Sequence, residues 1–582
     1  MFGKPLIVQG DRTVFLEVDH PGFMEARSRL MEFAELEKSP EHVHIYRITP
    51  LSLWNAAAAG RSATRIVDFL TEYSKYPVPS TLRKDITEFI GRYGLLRLEL
   101  GERGPELRCA SKEVLAQLLR MQQVSDCVDS ASFQAGPSMV AGSCAGFHSV
   151  RVKPECRGLL KLALIKIGYP VEDLAGYREG ASLEIAFRKR LADGRVFDLR
   201  PYQLAAVEAF YAGGSAAGGS GVVVLPCGAG KTIVAMGAIV KAQTQTLILS
   251  TNITALRQWC RELLEKTDIP QEMVGEYSGE EKEIAPITLT TYQMLTYRRQ
   301  KENDLVHFKL FSAREWGLIV YDEVHLLPAP VFRLTADIQA TRRLGLTATL
   351  VREDGREDEV FSLIGPKKYD VPWRSLEMDG WIANARCIEV RCSMLPEDLD
   401  RYSGADRRGR FRIASENKEK IQVLKAIAKS HRQDRVLIIG QYLDQLKAIR
   451  RETGAPLITG RTPSAEREAL YASFRMGEIP MLIVSKVGNF AVDLPDASVA
   501  IQISGTFGSR QEEAQRLGRI LRPKRDGRPA VFYSIVTRDT CDQEFAERRQ
   551  LFLTEQGYHY TIHETDSKRE YGISVSAQQD SA

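Results

Sequence analysis

The stretch "GVVVLPCGAGKTIVAMGAIV", Gly221 to Val240, decides the fold. A continuous apolar run, a loop containing Gly228, Ala229 and Gly230, and then Lys231-Thr232 opening an apolar helix read as strand, turn and helix. Glycines let the backbone turn so that its N–H groups point inward, and the helix N-terminus adds partial positive charge. Such a loop cradles phosphates: Lys231 reaches the terminal ones, and the Thr232 hydroxyl suits Mg²⁺. The strict pattern places a first glycine where this chain has Leu225. The setting between buried strand and helix carries the assignment instead, and the implied ligands are ATP and Mg²⁺.

A phosphate loop needs acids, and "LIVYDEVHLLPAP" supplies them at Asp322 and Glu323, the end of another apolar run. Asp322 is placed to hold Mg²⁺, which prefers oxygen ligands. Glu323 is placed to orient and deprotonate the water that attacks the γ-phosphate. A solvated acidic strand end is the bland alternative. His325 has two roles open to it, a structural one or relaying the nucleotide state to the Thr347 to Thr349 segment, "TAT".

Short valine-, isoleucine- and leucine-rich runs alternate with helical segments from Leu199, and the same grammar restarts after about Tyr369. Continuous apolar strands between helices predict parallel sheets covered on both faces. The fold class is therefore α/β, two tandem parallel-sheet domains over 197–370 and 371–582, preceded by small α+β domains. Ahead of them, the helices "SATRIVDFLTEYSKY" and "STLRKDITEFIGRYG" each begin with a serine suited to capping, and two strands follow. That order suits a winged-helix-like domain within 1–135. A Gly/Ser/Ala-rich stretch then marks a boundary, and 149–196 reads as a separate small domain.

At 582 residues the chain is too long for one core, and about three to five domains are expected. No apolar run approaches the roughly 20 residues that cross a bilayer, so no membrane role is expected. A net charge of +4 makes no case for nucleic acid by itself; local clusters must carry it. Nine cysteines without a paired-pair pattern predict free thiols in a reducing compartment.

In "SRQEEAQRLGRILRPKRDGR", helical spacing puts Gln515, Arg519 and Arg522 on one face. Such a face from the second domain can close over the triphosphate and stabilise charge developing in phosphoryl transfer. Hydrolysis would then open and close a cleft.

"RPYQ" (Arg200 to Gln203), "LPCGAGKT", "DEVH", "LTAT" and "QRLGRILR" together resemble the nucleotide motifs of superfamily 2 helicases, which have two RecA-like domains. "LTATLVRED", "SKVGNFAVDLPDA" and "GSRQEEAQRLGRILR" look more closely like the xeroderma pigmentosum group B (XPB) type, in a microbial form. The resemblance implies an ATP-dependent 3′→5′ DNA helicase acting in DNA repair. It implies that Arg200 and Gln203 read the adenine, and that Arg352, Glu353 and Asp354 form the RED motif that meets DNA at the fork. By the same resemblance 149–196 falls where the damage-recognition domain lies, a short thumb-like insertion lies near 394–417, and a nuclease is a possible partner.

Motors of this kind hold DNA mainly by phosphates. The candidate contacts end loops after strands: Arg257, Trp259, Thr290, Thr291, Tyr292, Gln441, Arg461 and Lys486. Trp259 and Tyr292 suit stacking on bases or packing in the core, the core being the commoner place for such residues. Forked, bubble or damaged DNA is the expected substrate, and a cytoplasmic monomer the expected form. Two other readings share these motifs: a duplex translocase with little strand separation, and a damage-binding clamp regulated by ATP.

Overall fold

The computed structural model describes residues 3–565 except 41, 135–146, 227, 298–305, 340, 349–355, 372, 486–496, 506–516, 518–528, 556–557 and 559. The chain divides into two units, one of 1–225 with 230–371 and the other of 226–229 with 372–582.

The first unit opens with an antiparallel sheet of β1 (Leu6–Val8), β2 (Thr13–Glu17), β3 (Glu35–Lys38) and β4 (Val43–Arg47), in the order β1-β2-β4-β3. Helices Pro50–Ala58, Ala63–Tyr73 and Ser80–Arg92 follow, then the hairpin β5 (Leu96–Gly101) and β6 (Gly104–Cys109). This is the expected helix–helix–strand–strand order. Ser62 caps its helix, accepting from Arg65 N at 3.3 Å. Ser80 does not: it is the first helical residue, and Pro79 occupies the cap position.

The boundary expected between 135 and 149 does not divide two domains. β7 (Val128–Gln134), β8 (His148–Val152) and β9 (Val171–Leu174) join the hairpin in one sheet, β7-β8-β6-β5-β9. Glu106 stands opposite Arg151, and Leu96 opposite Val171. Burying the alternate Leu96, Leu98, Leu107, Val150 and Val152 side chains requires both segments. The small domain expected over 149–196 is thus completed by strands from before the break.

Helix Arg157–Lys166 then packs on helices Ala329–Asp337 and Glu357–Leu363 of the neighbouring parallel-sheet body. Gly158 permits the approach, since a Cβ there would lie 2.3 Å from the Ala336 carbonyl oxygen. Beneath the helix, Asp173 accepts from Arg157 Nε (3.1 Å), Arg157 Nη2 (2.6 Å) and Lys161 Nζ (2.8 Å), all buried. Burial pushes the Asp173 carboxyl up, but the charges of Lys161 and Arg157 outweigh it and hold the group well below its ordinary range. Burial lowers Lys161 to about 8, against the pull of Asp173.

The parallel sheet contains β10 (Ser220–Val224), β11 (Thr246–Ser250), β12 (Val274–Tyr277), β13 (Ile287–Thr291), β14 (Leu318–Asp322), β15 (Arg342–Thr347) and β16 (Lys367–Asp370). Its order is β12-β13-β11-β14-β15-β10-β16, every pair parallel. β10, β11 and β13 are buried along their whole length, which accounts for runs that are apolar without alternation. The chain leaves β10 and returns as β11 beyond β14 and β15, so the ends of these four strands border a switch point where such sheets bind ligands.

The second unit repeats the plan. β17 (Ala385–Cys392), β18 (Val436–Gly440), β19 (Leu457–Ile458), β20 (Met481–Ser485), β21 (Val499–Gln502), β22 (Ala530–Thr537) and β23 (Tyr560–Thr565) form the order β19-β20-β18-β21-β22-β17-β23, again all parallel. The 394–417 segment forms two short helices, Pro396–Gly404 and Arg407–Ser415, the second capped by Asp406. Among the described residues every cysteine is a free thiol, and no helix is long and apolar enough to cross a membrane.

Candidate functional site

β10 delivers the phosphate loop. After Val224, the Leu225 N–H donates to the Thr347 carbonyl of the adjacent strand (3.0 Å), and Ala229 N–H donates to the Pro226 carbonyl (3.2 Å). Gly230 then caps helix Lys231–Ala242 in the left-handed region, φ 82° and ψ 46°. Glycine is required there twice over, by that backbone and because a Cβ would lie 2.5 Å from Gln203 Nε2. Gln203 itself is buried and accepts from the Arg200 N–H (3.0 Å) at the start of helix Pro201–Tyr211. The "RPYQ" motif therefore packs against the phosphate loop.

β14 brings the acids to the same edge. Lys231 Nζ lies 3.3 Å from Glu323 Oε1. Glu323 adopts left-handed backbone, φ 50° and ψ 55°, a conformation that costs a residue with a side chain about 1–2 kcal/mol. Strain of this kind in a side-chain-bearing residue is concentrated at functional sites. Its Oε2 is buried and accepts no hydrogen bond among the described residues, with His325 Nδ1 3.5 Å away. His325 Nδ1 and Thr347 Oγ1 are hydrogen-bonded at 2.7 Å, joining the acid turn to the end of β15.

Asp322 is enclosed. Burial, and then the neighbouring charge of Glu323, raise its pKa to about 6, although Trp259, Lys231 and Ser250 pull the other way. Its Oδ2 accepts from Trp259 Nε1 (3.1 Å) and Ser250 Oγ (3.2 Å), and its carbonyl accepts from the Tyr292 hydroxyl (2.8 Å). Two adjacent carboxylates forced together in a half-enclosed site are stabilised by a cation. Asp322 and the Thr232 hydroxyl at the head of helix Lys231–Ala242 offer oxygen donors, the chemistry that fits Mg²⁺.

The family follows from comparison with known proteins. Residues 376–581 match the ERCC3/RAD25/XPB C-terminal helicase family, 6–131 a helicase conserved C-terminal domain, and 196–352 the type III restriction enzyme res subunit. The chain is 53% identical over 567 residues to the "DNA 3'-5' helicase XPB" of Mycobacterium tuberculosis, covering 97% of this chain and 99% of that one. It is 51% identical over 567 residues to the protein of the same name from Kineococcus radiotolerans, covering 97% of each. The chain belongs to the XPB family. A more distant member, the Saccharomyces cerevisiae "General transcription and DNA repair factor IIH helicase/translocase subunit XPB/SSL2", is 31% identical over 614 residues, covering 96% of this chain and 72% of that one.

Within this XPB-family chain the expected DNA contacts separate into two groups. Arg257 is half-exposed and pairs with Glu280, and Arg461 is exposed, so both have side chains that solvent reaches. Gln441 is half-buried, its N–H donating to Ser504 Oγ (2.8 Å). The others turn inward. Trp259 is 2% and Tyr292 4% exposed, so neither offers a ring face to a base. Thr290 is wholly buried in β13, and the Thr291 hydroxyl accepts from Met294 N–H (3.1 Å) to cap the next helix. All four side chains are buried in the first unit. Ser250 escaped sequence reading, because only the strand order shows that "TLILS" ends beside Asp322. Thr349, Arg352, Glu353, Asp354, Lys486, Gln515, Arg519 and Arg522 lie outside the described residues.

Proposed function

We propose that this XPB-family chain is a DNA-dependent ATPase that moves 3′→5′ along DNA and opens duplexes, as the names of its bacterial relatives describe for them. The observation that carries the reading is the meeting of Lys231 and Glu323 at 3.3 Å beneath a left-handed glycine loop, with Asp322 enclosed beside them. Lys231 and the loop amides of Gly228, Ala229 and Gly230 bind the triphosphate, and Arg200 and Gln203 take the adenine. Thr232 and Asp322 would hold the metal, and bound Mg²⁺ would neutralise phosphate charge. Glu323, already drawn to Lys231, orients the attacking water and takes its proton.

Gln515, Arg519 and Arg522 are assigned to stabilise the departing charge, on their helical spacing in the sequence. His325 and Thr347 pass the state of the site to the Thr349 segment through their 2.7 Å bond. Arg352, Glu353 and Asp354 are assigned to the fork, and forked or damaged DNA in repair is the proposed setting. Duplex translocation with little strand separation is the second reading, favoured by the "helicase/translocase" wording of the yeast relative.

Strand displacement on a 3′-tailed duplex, measured beside ATP turnover, separates the two. Turnover with displaced strand supports unwinding; turnover without it supports translocation. No turnover with either substrate would remove both.

A further inference from the structure

Two residues that pattern alone assigns to DNA or core have their polar ends on the hydrolytic acid. We infer that Trp259 and Tyr292 are positioning residues for Asp322 and Glu323, so that the segments following β11 and β13 set the aim of the acids directly. This inference rests on the ATP-site reading above and deepens it.

The geometry is specific. Trp259 and Ser250 both donate to Asp322 Oδ2, and two donors on one oxygen fix the carboxylate's rotation and thus the direction of Oδ1. Tyr292 donates from its hydroxyl to the Asp322 carbonyl, which belongs to the peptide that leads into the left-handed Glu323. One residue sets the metal acid's plane, and the other pins the backbone that carries the base.

Both donors sit on elements with solvent-facing neighbours. Trp259 lies on helix Ile253–Lys266, whose start is capped by Asn252, and half-exposed Arg257 lies two positions away on the same helix. Tyr292 opens helix Tyr292–Thr296, and the adjoining Gln293 is exposed. A polynucleotide that shifts either helix shifts a donor on Asp322. Core packing does not need the Tyr292 hydroxyl, since Phe fills that ring site equally well.

Tyr292→Phe deletes the O–H and keeps the ring, whereas Trp259→Phe deletes the N–H together with part of the buried indole. With saturating single-stranded DNA, kcat is expected to fall about tenfold for W259F and about threefold for Y292F, the usual scale for one lost hydrogen bond in a site. DNA affinity by fluorescence anisotropy should stay within about twofold. The Mg²⁺ concentration needed for half-maximal binding of a fluorescent ATP analogue should rise about fivefold in W259F. Weakened DNA binding with kcat unchanged at saturation would overturn the inference in favour of track residues. Unchanged kcat, Mg²⁺ dependence and affinity would overturn it in favour of packing. Should W259F fail to fold, Y292F decides by the same measurements. Glu323→Gln run in parallel keeps the two claims apart: if it still hydrolyses ATP, the site reading itself falls.

Discussion

The two parallel sheets share one strand order, 3-4-2-5-6-1-7 counted within each, yet their strand ends are chemically opposite. In the first, the fifth strand ends at Asp322 and Glu323, acids pressed together by burial, with a lysine and three neutral donors around them. In the second, the fifth strand ends at Gln502 and runs into Ile503 and Ser504. There Ser504 Oγ accepts from the Gln441 N–H, where the first has Ser250 bonded to Asp322. Buried charge in the second sheet is matched internally: Lys420 Nζ meets Asp542 Oδ2 at 2.6 Å and the Ile503 carbonyl at 3.2 Å, with both side chains buried. One fold is thus used twice. The first copy holds charge that awaits a ligand, and the second holds charge already answered.

The sharpest break of that contrast is Glu323→Gln. ATP turnover should fall about 10³-fold while ATP binding and melting temperature stay near wild type. Lost binding, or lost stability, would place Glu323 with the structural charges. The mirror change is Lys420→Met, which takes from buried Asp542 its 2.6 Å partner and leaves Arg549 at 4.0 Å. Denaturant unfolding of the second unit should lose about 4 kcal/mol. Unaltered unfolding would mean that the pair is not structural.

Asp173→Asn tests the same principle in the first unit, with an expected loss of about 3 kcal/mol at neutral pH. Asp173 is held below its ordinary 3.8, so the stability it contributes is complete above about pH 4 and is lost on further acidification. The gap between wild type and variant should therefore be flat from pH 7 to about 4 and narrow below it. A gap that widens on acidification would reverse the assigned sign. The smallest effect is expected from Arg257→Ala. DNA affinity should weaken about two- to threefold, and the salt dependence should shallow by about one counterion, in anisotropy titrations across a salt series. An unaltered slope would take Arg257 off the phosphate track.

What sequence made legible follows the range of the interactions. The apolar runs of β10 and β14, the glycine loop and the paired acids are local, and each stands at the strand end its pattern predicts. Sheet pairing across 135–149 is not local: Glu106 stands opposite Arg151 in a register that no window of sequence displays. Sequence puts Trp259 in the segment after an apolar strand but says nothing of what its N–H reaches. The finding that β11 lies beside β14 is what turns Trp259, Ser250 and Asp322 into one cluster. A hydroxyl at a strand end serves caps and buried turns as readily as phosphates, and that of Thr291 caps the helix that follows.

The central claim is that ATP chemistry at Lys231, Asp322 and Glu323 answers to DNA. Steady-state ATP turnover measured without DNA, with single strands, with blunt duplex and with a fork tests it most directly. Turnover should rise on every DNA and most on the fork. Equal turnover in all four conditions would contradict it.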